Sequence, residues 1–361
     1  THTNAKGLTV SQPLFSGMES VAALTTAKER VKAARADLIA VEQQLLFHVI
    51  VAYTGLVEAD SLLKLTQNNA DVLTRQRDDV QIRFEIGEVT KADVAQAESR
   101  LAAAKASEQQ AMGDVALSKA AYERATGSPP PEALSMPPAP SALPRTLQDA
   151  TAMAQAANPI LIAAKHREQA FAEEVGVRRG ALFPHVSLEG SMRRSDGGNS
   201  FIRHIENDAM TLNVRVPLYQ SGAEWSRLRD ARHSANRAKY ESMDTLLAVA
   251  QDTTQAWQNY ATAGTVIDAN QKAVIAAQIA LESVKNEYTY GVRTLIDVLD
   301  AEQELLNTHV NLLRATRTEI IEAYRLLASV GKLTINDLGV GINAYDPKEN
   351  YNQIKYQLLG W

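Results

Sequence analysis

Two aspartates in the last quarter of the chain have the spacing best suited to chemistry. Asp297 and Asp300 lie three positions apart in a segment with helical patterning, so both carboxylates lie on one face of a helix. Such a pair could act as general acid and base. No nucleophile or cofactor motif accompanies it, and Asp297 is equally suited to be a first-turn residue that the helix dipole favours. Arg293, four positions earlier, could be an ordinary turn residue.

The other reactive residue types form no catalytic or metal-binding pattern. No H-E-x-x-H, G-x-S-x-G, P-loop or G-x-G-x-x-G sequence occurs. The chain has no cysteine, and its net charge of −5 gives no nucleic-acid footprint. We therefore expect a protein that is not an enzyme and has no cofactor, metal site or nucleic-acid partner. The seven histidines are dispersed, and His48 occupies a heptad position typical of packed residues; the others are His2, His166, His185, His204, His233 and His309.

An internal repeat organises the elements that must position these residues. A shift of 204 positions (291 minus 87) aligns two copies of the chain without a gap. Each copy contains a short alternating segment, a long helical stretch, a glycine turn, a second helical stretch and a final glycine. The shared G-x-x-T-x-x-D-V-x-x-A-E-x-x-L signature begins at Gly87 in the first copy and at Gly291 in the second.

The repeat predicts the domain organisation. The first repeat, 1–127, holds a strand and a long helical hairpin with helices over 18–85 and 91–125. A Pro-rich linker, 128–145, precedes the second repeat, 146–331, and a partly helical tail covers 332–361. In the second repeat we expect a short helical stretch over 147–179 that Asn158-Pro159 interrupts, strands at about 182–193 and 208–218, and helices over 223–290 and 295–329. The longer helices would reach roughly 100 Å, so the helices must pack side by side.

Apolar residues in the first long helix recur every seventh position. One row begins Leu24, Val31, Leu38 and Leu45, and a second runs from Ala27 to Leu62. Sustained heptads indicate a left-handed coiled-coil seam, and a broad apolar face indicates more than one neighbour. On periodicity alone, a plain cytoplasmic coiled coil remains open.

Three segments alternate apolar and polar residues, around 8–14, 186–192 and 210–218. An outer-membrane barrel requires such strands of about 9–11 residues, but a half-buried sheet of a soluble domain has the same alternation. We expect an exposed loop over 194–208, because it is polar and contains glycine. The chain opens with no secretory signal and shows no run of about 18 apolar residues. A membrane barrel would therefore require several chains to share it.

Three motifs resemble the TolC family of outer-membrane efflux and secretion channels: VPLYQSG at 216–222, its degenerate copy SQPLFSG at 11–17, and YTYGVRTLIDVLDAEQEL at 288–305. Asn158-Pro159 and the Leu-Phe-Pro at 182–184 also fit, and the resemblance covers almost the whole chain. It implies a mainly α, internally duplicated homotrimer with a long antiparallel coiled-coil α-barrel and a shared membrane β-barrel. The linker and tail would form an equatorial region. The family has four strands per protomer, so we expect the first helix and strand to precede residue 1.

The resemblance also implies a function and its partners. The trimer would be a passive exit duct in the outer membrane of a Gram-negative bacterium, with a periplasmic extension. It would serve a tripartite efflux pump or a type I secretion system. Its partners would be a periplasmic adaptor (membrane fusion) protein, an inner-membrane RND or ABC transporter, and outer-membrane lipid. The alternatives are a periplasmic adaptor, which would carry one hairpin between lipoyl half-motifs, and a soluble coiled-coil scaffold.

By the same resemblance, the glycine turns are the pump-facing tip. Asp297 and Asp300 would line a gate constriction as two rings of carboxylates. A network of Tyr288, Arg293 and Asp93 would hold the gate shut. Adaptor hairpins would dock at the tips formed by Gly87, Glu88, Val89, Gly291, Val292 and Thr294.

Overall fold

The computed structural model describes residues 4–140, 142–199, 202–339 and 346–355. His2 and parts of the predicted tail, 340–345 and 356–361, lie outside the described residues. The elements follow in the order β1 (Asn4–Ser16), α1 (Glu19–Glu85), α2 (Lys91–Thr126), α3 (Leu147–Ala157), α4 (Pro159–Gly180), β2 (His185–Asn199), β3 (Ile202–Arg215), α5 (Ala223–Thr289), α6 (Leu295–Ser329) and α7 (Pro347–Ile354).

The long helices predicted from the repeat are confirmed. α1 and α5 each contain 67 residues, while α2 and α6 contain 36 and 35. The helical stretch before the strands is interrupted at Asn158, as predicted, because Pro159 disfavours helical backbone at the residue before it. Asn158 has an extended ψ of 121°, and its side-chain Nδ2 donates to the carbonyl of Ser329 at 2.9 Å.

The three strands form one antiparallel sheet in the order β1-β2-β3. The loop predicted over 194–208 is wrong, since pairing of β2 with β3 continues through it: Arg194 lies opposite Glu206 and Asp196 opposite His204. Ladder hydrogen bonds join backbone groups whatever the side chains are. Polar residues on both faces therefore do not interrupt the ladder.

A bulge in β1 changes which side chains share a face. The register shifts between Pro13 and Phe15, where proline has no N–H to donate to the ladder. After the shift Phe15 lies opposite Val186. Phe15 therefore continues the row of Leu8 and Val10, in place of the Leu14 that the alternation predicted.

Contacts divide the chain into two compact units. The first contains residues 1–38 and 159–248. In it α1 packs closely against α4, and a Cβ on Gly176 would lie 3.2 Å from the Cβ of Ala22. Two side-chain contacts join the same helices further along: His166 Nδ1 lies 2.7 Å from Glu29 Oε2, and Arg167 Nη2 lies 2.6 Å from Asp37 Oδ2.

The predicted heptad rows of α1 are apolar, but they are only partly buried within the chain. Leu24, Val31, Leu38 and Leu45 are 44–56% exposed. The row buried in this part of α1 is offset from them and consists mainly of small or polar residues. Periodicity reveals that a row is apolar, but it does not tell which neighbour covers it. The buried residues are Thr26, Glu29, Ala33, Ala36 and Gln43.

The second unit contains residues 39–158 and 249–361. One apolar cluster in it joins α1, α2 and α6, and another joins α3, α5 and α6. The tail begins by packing in this unit: Leu333 is fully buried, and the Ile335 N–H donates to Glu42 Oε1 at 2.8 Å. Later in the tail α7 is helical, as expected.

One stretch within α1 has the length and apolar composition of a membrane span, judged by those two criteria alone. The expectation of no such run is therefore wrong. Only 22% of the stretch is buried within the chain. A helix that contacts neighbours on several sides carries apolar residues around much of its circumference, so this composition does not require a bilayer.

The glycines that end α2 and α6 offer a matched stability test. Gly127 and Gly331 both have left-handed backbone, with φ of 72° and 78°. A Cβ on Gly331 would lie 2.2 Å from the carbonyl oxygen of Ala157, whereas a Cβ on Gly127 would meet nothing within 4 Å. We expect Gly127→Ala to lower the free energy of unfolding by about 1–2 kcal/mol through backbone strain. Gly331→Ala should cost about 1–3 kcal/mol more, because the added methyl overpacks the contact. Denaturant titration of both variants measures the difference, and equal losses would contradict the close approach.

Candidate functional site

The two glycine turns predicted as tips close with the same backbone hydrogen bonds. In each turn the glycine N–H donates to the carbonyl three residues back, and the next N–H donates to the carbonyl five residues back. The distances are 3.0 and 2.9 Å from Gly87 and Glu88, and 3.0 and 2.9 Å from Gly291 and Val292. Both glycines have positive φ, 82° and 74°, which fits a Schellman-type helix end. The turns are thus structural copies, as the duplication requires.

Each turn is followed by a capping box that opens the next helix. Asp93 Oδ2 accepts hydrogen bonds from the backbone N and Oγ1 of Thr90 at 2.8 and 2.7 Å. Asp297 Oδ2 accepts the same pair from Thr294, at 2.9 and 2.7 Å. The Thr294 backbone N–H, followed by its hydroxyl, lowers the pKa of Asp297 below its usual range. Asp297 therefore has the first-turn role that its sequence position allowed, since its carboxylate caps the start of α6. The carboxylate stays ionised in mild acid.

Arg293 bridges the second turn. Its Nε lies 2.8 Å from Glu287 Oε2 at the end of α5, and its Nη1 lies 4.0 Å from Asp297 Oδ1 at the start of α6. Hydrogen bonding to Glu287, with the charges of Glu287 and Asp297, raises the pKa of Arg293 above its ordinary value. Val89 occupies the equivalent position in the first turn (293 minus 204) and cannot form such a bridge.

An apolar cluster joins the helices that meet at these turns. Leu73 and Val80 of α1, Leu101 of α2, and Leu295 and Leu299 of α6 are buried together in it. Val89, Val94 and Tyr288 pack against the cluster while remaining partly exposed. The guanidinium of Arg83 lies 5.5 Å from the Tyr288 ring centroid, within cation–π range. The two hairpins are therefore packed together next to their turns.

Two ion pairs that sequence reasoning missed join helices in this region. Arg100 Nη2 of α2 lies 2.6 Å from Asp300 Oδ1 of α6, so one of the two predicted constriction carboxylates forms an ion pair within the chain. Lys285 Nζ of α5 lies 2.9 Å from Glu302 Oε1 of α6, whose side chain is 7% exposed. The repeat aligns Glu302 with Glu98 and could have drawn attention to it. No sequence signal marks Arg100.

The three residues predicted to lock the gate have separate partners. Asp93 caps its own helix, Arg293 bridges its own turn, and Tyr288 lies beside Arg83. Among the described residues of one chain, no contact joins these three. The resemblance placed such contacts between neighbouring coils. The predicted docking residues lie at the surface of the two turns, where Val292 exposes 74% of its area; Ile86, which was not predicted, is 66% exposed beside them. The remaining exposed docking residues are Gly87, Glu88, Gly291 and Thr294, while Val89 is half-buried.

The sheet has one apolar and one polar face, and its apolar face is exposed rather than buried. Even-numbered residues of the three strands, up to the bulge in β1, share one face. Six of them are apolar and 59–78% exposed: Leu8, Val10, Met192, Met210, Leu212 and Val214. The odd-numbered face is polar and borders a cavity of about 810 Å³ lined by Ser11, Ser187, Glu189, Asn213 and Arg215, among others. A soluble domain would bury the apolar face.

Within the described part of the chain, no group of three or more histidine, aspartate or glutamate side chains is arranged to hold a metal ion. Asp297 and Asp300 are each bound by a neighbouring side chain instead.

Comparison with known proteins gives a consistent result. The family model described as outer membrane efflux protein matches residues 1–128 and 151–332. The outer membrane efflux protein BepC of Brucella suis biovar 1 is 29% identical over 359 residues, which cover 99% of this chain and 78% of BepC. The outer membrane protein TolC of Vibrio cholerae is 25% identical over 347 residues, covering 94% of this chain and 78% of that protein.

A solved structure shares the fold. The crystal structure of the Campylobacter jejuni CmeC outer membrane channel matches with a TM-score of 0.77 and 15% identity, over 98% of this chain and 81% of that chain. The arrangement of long helical hairpins and an amphipathic sheet is therefore the fold of that channel.

Proposed function

The chain belongs to the outer membrane efflux protein family, and from this membership we propose that three copies form a passive exit duct, gated at the turns of Gly87 and Gly291. Members of this family are channels of the outer membrane of Gram-negative bacteria, not enzymes. Membership excludes the periplasmic adaptor and the soluble scaffold as readings of the sequence. The helical hairpins extend into the periplasm.

The exposed apolar face of the sheet carries this proposal. Its residues include Met210 and Leu212, which are 78% and 60% exposed. Burying such a face against lipid gains about 25 cal/mol for each Å² removed from water. The opposite, polar face then lines water, as in barrels that conduct solutes.

Assembly from several copies follows from the sheet edges. Among the described residues, β1 and β3 each pair on one side only. An unpaired edge cannot face lipid, because its N–H and C=O groups would be unsatisfied. Copies joined edge to edge satisfy these groups and supply the strands that a closed barrel needs.

The exposed heptad row of α1 supports the same assembly. Val31 and Leu38 are 49% and 44% exposed in one chain, and their seven-residue spacing suits knobs-into-holes packing against another helix. We infer that this row packs against a neighbouring copy, and that the helices of three copies enclose a continuous tube.

The tip is the proposed gate and docking site. Asp297 and Asp300 from three copies line the constriction, and Arg293, Tyr288 and Asp93 hold it closed. Exposed apolar residues at the turns, Ile86 and Val292, suit a periplasmic adaptor hairpin. The adaptor connects the duct to an inner-membrane transporter of the RND or ABC type.

Reconstitution of the detergent-purified chain tests the channel. We expect native mass spectrometry to show a trimer and planar bilayers to show a small resting conductance, because the gate is closed. A water-soluble monomer that neither binds lipid vesicles nor conducts would refute the proposal. Photo-crosslinking from Glu88 or Val292 in cells then identifies the adaptor, with Asn207 in β3 as the control position.

A further inference from the structure

The apolar face of the sheet has two different borders. Towards the helices, the row of Phe15 and Val186 ends it. Towards the β2–β3 hairpin, Lys6 lies opposite Arg194, and Arg194 lies opposite Glu206. Val186 and Arg194 are eight residues apart along β2 (194 minus 186), which is about 27 Å along the strand and roughly 20 Å along the membrane normal at the usual strand tilt of about 40°, close to the height of a barrel's apolar band. The charged row therefore lies at one surface of the hydrocarbon layer.

This charged row carries an uncompensated cation. Glu206 Oε1 lies 3.1 Å from both Arg194 Nε and His204 Nε2, and Lys6 has no ion pair among the described residues. Cationic residues directly opposite one another on paired strands repel, so an anion held between them would be favoured. Because Lys6 and Arg194 lie at the border of the apolar face, we expect the anion between them to belong to a molecule that enters the bilayer.

An apolar groove lies directly beside the row. Its volume is about 410 Å³, and it is lined by Leu8, Val10, Met192 and Met210 around Gly190. Gly190 leaves the floor open, since a Cβ there would meet nothing within 4 Å. A groove of this shape on a lipid-facing surface accepts an acyl chain.

We propose that Lys6 and Arg194 bind the phosphate of a membrane lipid whose acyl chain lies in the groove over Gly190. The inference rests on the membrane placement of the sheet in the proposed function. Lys6 and Arg194 donate hydrogen bonds to the phosphate oxygens, while Asp208, which also lines the groove, accepts from a headgroup hydroxyl. The ligand is thus a phosphorylated lipid with hydroxyl groups beside the phosphate, not a free anion.

Nanodiscs of phosphatidylglycerol or phosphatidylcholine provide the test, because both lipids carry phosphate but only the first is anionic and has headgroup hydroxyls. We expect native mass spectrometry to show phosphatidylglycerol retained on the trimer in preference to phosphatidylcholine. Arg194→Gln and Lys6→Gln should each weaken that retention about fivefold. Arg193→Gln is the matched control, since Arg193 is the neighbouring arginine on the opposite, polar face.

A second variant addresses the groove without changing charge. Gly190→Leu fills the space and should reduce retention of phosphatidylglycerol while leaving trimer stability and conductance unchanged. If inorganic phosphate displaces the lipid, or Gly190→Leu retains it fully, the site does not hold an acyl chain and the inference is wrong. Trimers that insert and conduct but show no headgroup preference would overturn the inference alone. Failure to insert would overturn the proposed function.

Discussion

Met210→Arg is expected to lower the stability of the inserted protein by about 2–4 kcal/mol per chain, enough to abolish assembly of a trimer that carries three copies. Met210 lies opposite Gly190, midway between the two borders of the apolar face, and it is the most exposed apolar residue among the three strands. At that depth a guanidinium is out of the water, and pairing with Asp208, which lines the same groove, offsets only part of its desolvation cost. Urea titration of the protein folded into lipid vesicles measures the loss.

Thr211→Arg is the matched control for this prediction. Thr211 is the next residue of β3, lies on the polar face and is opposite Glu189. An arginine there meets water and a carboxylate across the strands, so we expect stability to be nearly unchanged. If both variants lose the same stability, the apolar face is not the lipid-facing one. If neither loses stability in vesicles, the sheet does not enter the bilayer.

The backbone elements were largely predictable because their signals are local. A seven-residue repeat and a glycine turn determine a helical hairpin, so α1, α2, α5 and α6 end within one residue of the prediction. The strands were less predictable, because alternation shows only where one face is apolar. It could not reveal that β2 and β3 continue into the polar segment around Asp196, or that a bulge brings Phe15 into the apolar row.

In the candidate site, contacts within one turn of helix were predictable, whereas contacts between hairpins were not. The capping boxes of Asp93 and Asp297 follow from a Thr-x-x-Asp spacing within one turn of helix. The pair of Arg100 and Asp300 joins residues 200 positions apart, so it depends on how two hairpins pack, which no local pattern specifies. For the same reason, the exposed row of α1 could be recognised as apolar but could not be assigned to an intrachain or interchain neighbour.

Arg293→Ala is expected to raise the resting conductance of the reconstituted trimer on the order of tenfold, within the range of ordinary coupling between conformational states. Arg293 holds the end of α5 to the start of α6 through Glu287 and Asp297. Three copies line one constriction, so the losses of closed-state stability in the three copies add together. Because the pair is about half exposed, 1 M salt should screen it, raising the conductance of the parent channel towards that of the variant.

The lowered pKa of Asp297 determines how the resting conductance of this gate should change with pH. The pKa of Asp297 is lowered by its hydrogen bonds with Thr294. Its contribution to the stability of the second turn is therefore fully present above the ordinary aspartate pKa and is lost as pH falls through the lowered one. Between pH 5 and pH 8 we expect no effect from Asp297, and acid opening should begin only below about pH 4.

Val89→Ala provides the matched control for Arg293→Ala, because Val89 occupies the equivalent position of the first turn and forms no bridge. Val89→Ala shortens a side chain in the equivalent turn of the other hairpin without removing a charge, so the resting conductance should stay at the parent value. An equal rise in both variants would mean that loosening either turn opens the duct, and that the charge of Arg293 is incidental. An unchanged conductance in Arg293→Ala at low salt would place the gate outside the second turn.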